Sequence, residues 1–277
     1  MGRLTYIRDL RAFGEQDLSL QFDGSFRRFS GRYRTANWLY IVHRDRLATA
    51  WPGNDTYRFS WEISRMRRWE RYHRGRGRHT YLYSAEAHGG SRCPVTPALL
   101  AAGRARQAYV VLHEAWHATL RLAGIRMPYA LEEATGRVVG VVGAVRFAER
   151  CGDRSLLREA KQQLHAWGCL ARFVNRTHRR LDRFYRGSPN ARERHREMRI
   201  IRQDARNLRG RVASVWEHEE LTREMNNAFF FRYHDYTRLY PLALRVYRHH
   251  QSLRSTMRTF LRAGNLGAVD WLRRSAR

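Results

Sequence analysis

Two histidines four residues apart, His113 and His117, lie in Val110-Val-Leu-His-Glu-Ala-Trp-His-Ala-Thr-Leu120, with Glu114 directly after the first. On a helix, positions i and i+4 share a face, so both imidazoles can offer a nitrogen to one cation. Glu114 is offset by one residue. It cannot complete the same chelate, but it can reach a water held there, which is where a general base must stand. This spacing is the HExxH pattern. Its flanks, VVL before and ATLRL after, are apolar and helix-compatible, as a buried helix carrying polar chemistry requires.

A third ligand is expected from the next helical stretch, where Glu132 and Glu133 are adjacent. At about 100° per residue with Glu132 at zero, Arg150 falls at about 0°, Arg146 at about 320° and Thr135 at about 300°. Glu132 therefore shares a polar face that reads as solvated. Glu133 falls on the side of Gly136, Gly140 and Gly143. Glycine inside a helix costs about 1 kcal/mol relative to alanine, so a glycine stripe implies a close neighbour, and the HExxH helix is the expected one. Glu133 is thus the expected third ligand, with an i,i+4 pair to Arg137 as the alternative.

Two imidazoles and one carboxylate suit zinc, and three protein ligands leave a fourth position for water, the mark of a catalytic site. Zinc would bring the pKa of that water toward ~7, and Glu114 would take its proton and pass it to a leaving amine. The oxyanion of a polarised carbonyl needs a further donor. Tyr236 and His234, in Asn226-Asn-Ala-Phe-Phe-Phe-Arg-Tyr-His-Asp-Tyr236, are candidates, and Tyr236 is the one carried forward.

These side chains need helices to hold them, and from about residue 96 the chain reads as helical. Thr96–Leu122 should end at Ala123-Gly124, and Tyr129–Arg150 should open after Pro128 and close at Cys151-Gly152. Asp153–Tyr185 and Asn190–Arg209 read as a charged hairpin turning at Gly187-Ser188-Pro189, and Trp216–Arg273 as two or three more helices broken near Pro241 and Gly264. The first 95 residues read as mixed or β. Tyr57–Ile63 alternates apolar and polar residues, and Asn37–His43 and Arg78–Ala85 are further strand candidates. Arg65–Arg78 reads as a solvated basic helix face and loop. No linker or repeat divides the chain. The expected fold is α+β, mostly helical: one zincin-like domain over 1–277, with a β-containing part to residue 95 and a helical part from 96.

The chain has 277 residues and 43% hydrophobic content, enough for a sizeable core. No apolar run reaches the ~18–20 residues of a membrane helix, and the first twenty residues lack the core of a secretory signal, so a cytoplasmic location without membrane partners is expected. Cys93, Cys151 and Cys169 have neither disulfide-framework nor metal spacing and read as small buried residues. The net charge is +28, and all but Lys161 of the 53 basic residues are arginines. They are spread along the whole chain, which fits non-specific attraction to polyanions better than one recognition surface.

HEAWH, the downstream Glu132-Glu133-Ala134, and Asn226-Asn227-Ala228 followed by Tyr236 resemble the bacterial predicted-aminopeptidase family of gluzincin metallopeptidases. The charged hairpin and Tyr240-Pro241 suit the same pattern, which covers about residues 80–262. The resemblance implies a zinc-dependent, aminopeptidase-like hydrolase acting on peptides or proteins, with Glu133 in the ligand position and Glu132 in place of the usual Asn. In zincins an edge strand beside the active-site helix pairs with substrate backbone, and Thr80–Ala85 is placed in sequence to be that strand. Two other readings stay open: a non-enzymatic, basic nucleic-acid-binding helical protein, and a zincin-fold regulatory protein.

Overall fold

The computed structural model describes residues 2–32, 35–51, 56–88, 90, 92–212, 225–265 and 268–275. The protein is α+β and mostly helical. In chain order the elements are α1 (Arg3–Leu18), β1 (Ala36–Val42), β2 (Arg58–Ser60), α2 (Ile63–Gly75), β3 (His79–Ala85), α3 (Pro97–Ala101), α4 (Arg104–Leu122) and α5 (Tyr129–Arg150). There follow α6 (Arg154–Arg186), α7 (Ala191–Val212), α8 (Asn227–Thr237), α9 (Tyr240–His250), α10 (Leu253–Asn265) and α11 (Ala268–Ser275). The start of the expected helical run Trp216–Arg273 lies outside the described residues up to 224. No described helix is long and apolar enough to cross a membrane.

The chain divides into two compact units, each gathered from separated stretches. The first comprises Met1–Thr35, Glu86–Leu164 and Arg238–Arg277, and the second Ala36–Ala85 and His165–Thr237.

In the first unit α4 and α5 form the main helix pair, with α1 against α4 and with α9 and α10 against α5. The single helix expected over Thr96–Leu122 is two. Thr96 caps α3 by accepting from Leu99 N at 3.1 Å, and extended backbone at Ala102 and Gly103 separates it from α4. Gln107 holds that bend by donating to the carbonyls of Leu100 and Ala102. Pro128 precedes α5, where its fixed φ and missing N–H cost nothing. Trp116, with no exposed surface, donates from Nε1 to Thr135 Oγ1 at 2.9 Å and ties α4 to α5. All three cysteines are free. Cys93 and Cys169 are buried as expected, but Cys151 is exposed, because it caps α5 where the chain turns through Gly152 at φ 64°.

In the second unit three antiparallel strands run in the order β2-β1-β3. β3 pairs with β1 from Ala36↔Ala85 to Val42↔His79. The strand expected over Tyr57–Ile63 is cut to Arg58–Ser60, because Ser60 Oγ accepts from Glu62 N and the chain then enters α2. α2 buries Met66 and His73 against the sheet and leaves its other residues half-buried or exposed. α8 also packs on β1 and β3. Asn226 and Asn227 anchor its start: Asn226 donates to Thr80 O at 3.0 Å and accepts from Ala228 N, while Asn227 donates to His43 O and accepts from Tyr185 Oη.

Candidate metal centre

The last three turns of α4 carry His113, Glu114 and His117, and the first two of α5 carry Glu132 and Glu133. The glycines of α5 set the separation. A Cβ added at Gly140 would stand 2.8 Å from the Tyr109 carbonyl oxygen and 3.1 Å from His113 Cβ. At Gly136 it would stand 3.1 Å from His113 Nδ1, and at Gly143 2.7 Å from a Leu112 methyl. The glycine stripe is therefore the surface against which α4 lies, as its spacing implied.

That approach brings His113, His117 and Glu133 together, all buried. The two Nε2 atoms are 3.2 Å apart. Glu133 Oε2 lies 3.5 Å from His113 Nε2, and Oε1 lies 3.8 Å from His117 Nε2. A tetrahedral ion with bonds of about 2.0–2.1 Å spaces its ligand atoms about 3.3–3.4 Å apart, so these three atoms suit one coordination sphere. Glu133 Oε2 is sealed from solvent with no hydrogen-bond partner among the described residues. An orphaned carboxylate oxygen facing two imidazoles is a donor set suited to a cation. Among the described residues this is the one such group whose donor atoms converge, and it could hold a metal ion.

The surrounding charges are coupled. Burial alone would lower the His117 pKa, but Glu133, Glu132 and Glu114 outweigh it and raise it to about 9. Burial alone would raise Glu133, but His117, His113 and Arg137 hold it down at about 2. Burial dominates at Glu114 and lifts its carboxyl above the usual range, against the pull of His113 and His117. Glu114 Oε2 is sealed without a hydrogen bond among the described residues.

Glu132 corrects the sequence reading. Instead of sitting on a solvated face, it is half-buried and accepts from His117 Nδ1 at 2.7 Å. An ionised carboxylate only accepts, so Nδ1 carries the proton and Nε2 is the nitrogen left for a metal. The wheel of α5 misses this because the partner belongs to α4; the adjacent pair of glutamates was the available signal. Arg137, the alternative partner for Glu133, is buried one turn further along and does help to depress that carboxylate. Tyr109, one turn before His113, holds its ring 5.5 Å from the imidazole.

Glu86 and Arg106 form a two-bond ion pair, both contacts 2.9 Å, in the same unit. Tyr236 and His234 are the further donors expected from the sequence. Both lie on α8 in the second unit, Tyr236 with its ring 4.6 Å from the Arg232 guanidinium and His234 stacked on His178 at 3.5 Å.

A family model described as "Putative aminopeptidase" matches residues 1–277. No curated protein and no solved structure matches the chain.

Proposed function

Because the chain belongs to that aminopeptidase family, we propose that it is a zinc-dependent peptidase of the gluzincin type, in a zincin-like fold, acting on peptides or proteins. The observation that carries this is the convergence of two imidazole nitrogens and a buried, orphaned carboxylate oxygen beside a second carboxylate of raised pKa. His113, His117 and Glu133 would hold the ion. When bound, zinc supplies Lewis acidity toward a peptide carbonyl and acidifies water.

The remaining chemistry belongs to the chain. Glu114 takes a proton from the attacking water and returns it to the leaving amine. Burial raises its pKa above the ordinary carboxylate value, which strengthens it as a proton acceptor. Glu132 fixes the His117 tautomer and ring orientation. The aminopeptidase-like mode of cleavage rests on the family.

Two variants test the proposal. The purified protein should carry about one zinc per chain by elemental analysis, and His113→Ala should lose it. Glu114→Gln should retain the zinc and lower the rate of peptide hydrolysis by about 10²–10⁴-fold. A wild-type protein without metal, or a Glu114→Gln variant as active as wild type, would refute it.

A further inference from the structure

Arg232 stands in the middle of α8, on the side that packs against β1 and β3, and is only 3% exposed. A buried charge is ordinarily neutralised by a carboxylate and by hydrogen bonds to its remaining protons. Here the surroundings are rings. Tyr83 lies 3.6 Å from the guanidinium carbon, Tyr236 4.6 Å, Tyr233 4.7 Å, Tyr40 5.7 Å and Tyr81 5.9 Å, measured to ring centroids. Among the described residues Arg232 forms no ion pair and no hydrogen bond, and its Nε is sealed from solvent without a partner.

Ring faces stabilise a cation through their quadrupole, but they offer no acceptor in the plane where the guanidinium points its five N–H groups. The tyrosines therefore hold the charge in place and leave its hydrogen-bonding edge unanswered. A planar anion entering edge-on answers that edge with two parallel bonds, the arrangement that guanidinium and carboxylate form best. A tetrahedral anion matches that planar fork less well.

We propose that the second unit carries a carboxylate-binding site, with the Arg232 guanidinium gripping the anion in its own plane and the tyrosine rings covering its faces. The site lies in the unit that does not hold the His–His–Glu cluster, and the proposal does not depend on metal chemistry there.

The test is calorimetric titration of the full-length protein with N-acetylglycine, N-acetylglycinamide and inorganic phosphate. Total ionic strength is held at about 0.15 M so that diffuse attraction to the basic surface is screened. N-acetylglycine should bind saturably at one site and the amide at least tenfold more weakly. Arg232→Gln should abolish binding. Arg232→Lys, which keeps the charge without the planar fork, should weaken it at least tenfold. Arg258→Gln, which removes an exposed arginine of α10, should leave it unchanged. If Arg232→Gln does not fold, the acid-to-amide preference of the wild type still decides. Equal binding of acid and amide, tighter binding of phosphate, undiminished binding to folded Arg232→Gln, or equal loss in Arg258→Gln would each overturn the proposal.

Discussion

A proton on His117 Nδ1, held by Glu132 at 2.7 Å, leaves Nε2 to face His113 and Glu133. Removing the carboxylate charge with Glu132→Gln should keep the fold and weaken metal binding by about 10–100-fold, the usual effect of losing such a supporting partner. Competition against a chelator measures this, and an unchanged affinity would return Glu132 to the surface role that its position on the α5 wheel suggested. His117 also fixes the pH dependence. Metal needs its neutral form, while the metal-free protein holds it protonated up to about pH 9. Metal uptake at pH 7 should therefore release a proton, visible as a heat that changes with the ionisation enthalpy of the buffer. In the metal-free protein a raised histidine pKa stabilises the fold fully below the unfolded value of 6.5, and that contribution is lost as pH rises through about 9. The depressed Glu133 contributes above its ordinary 4.5, and that part is lost as pH falls through about 2. The thermal midpoint of metal-free protein should accordingly fall between pH 6.5 and 9. The convergence of His113, His117 and Glu133 was legible from spacing along one chain. The role of Glu132 was not, because it depends on a side chain from another helix.

At the scale of elements, α5 could be read in advance because three of its glycines have no other use. Gly140→Ala would gain about 1 kcal/mol of helix propensity. It would also force a methyl to 2.8 Å from the backbone oxygen of Tyr109, which cannot rotate away. Overpacking of this kind costs about 1–3 kcal/mol, so the variant should be net destabilised by chemical denaturation and should bind metal more weakly as α4 is pushed back. Gly168→Ala in α6 is the control. There the only neighbour within 4 Å among the described residues is a flexible Arg172 side chain at 3.6 Å, so the same substitution should be neutral or stabilising by up to about 1 kcal/mol. Other elements were harder to read. α1 places Tyr6, Ile7, Leu10 and Phe13 inward, yet its apolar residues alternate closely with charged ones and its helical period is weak. The bend between α3 and α4 is held by Gln107 reaching back five and seven residues, a tertiary contact that no capping signal announces.

For the whole molecule, the +28 charge is distributed rather than gathered. It should produce association with random-sequence DNA near 50 mM salt that falls steeply by 200 mM and shows no sequence preference. Fluorescence anisotropy across that range measures it, and sequence-selective binding that persists at 200 mM would contradict it. The interleaving of the two units was illegible from the sequence, because no change of composition marks residues 35, 85, 164 or 237. What decides membership is packing at long range, such as Phe260 against Trp116 and the close approach of Gly140 to Tyr109.

That interleaving also orders events during synthesis. A ribosome delivers both stretches of the second unit, through Thr237, before it has made Arg238–Arg277. At that point α5 still lacks the helices α9 and α10 that cover it. A premature stop just beyond Thr237 would leave α5 without those covering helices, so the truncated chain should lose any metal that His113, His117 and Glu133 hold, as elemental analysis would show.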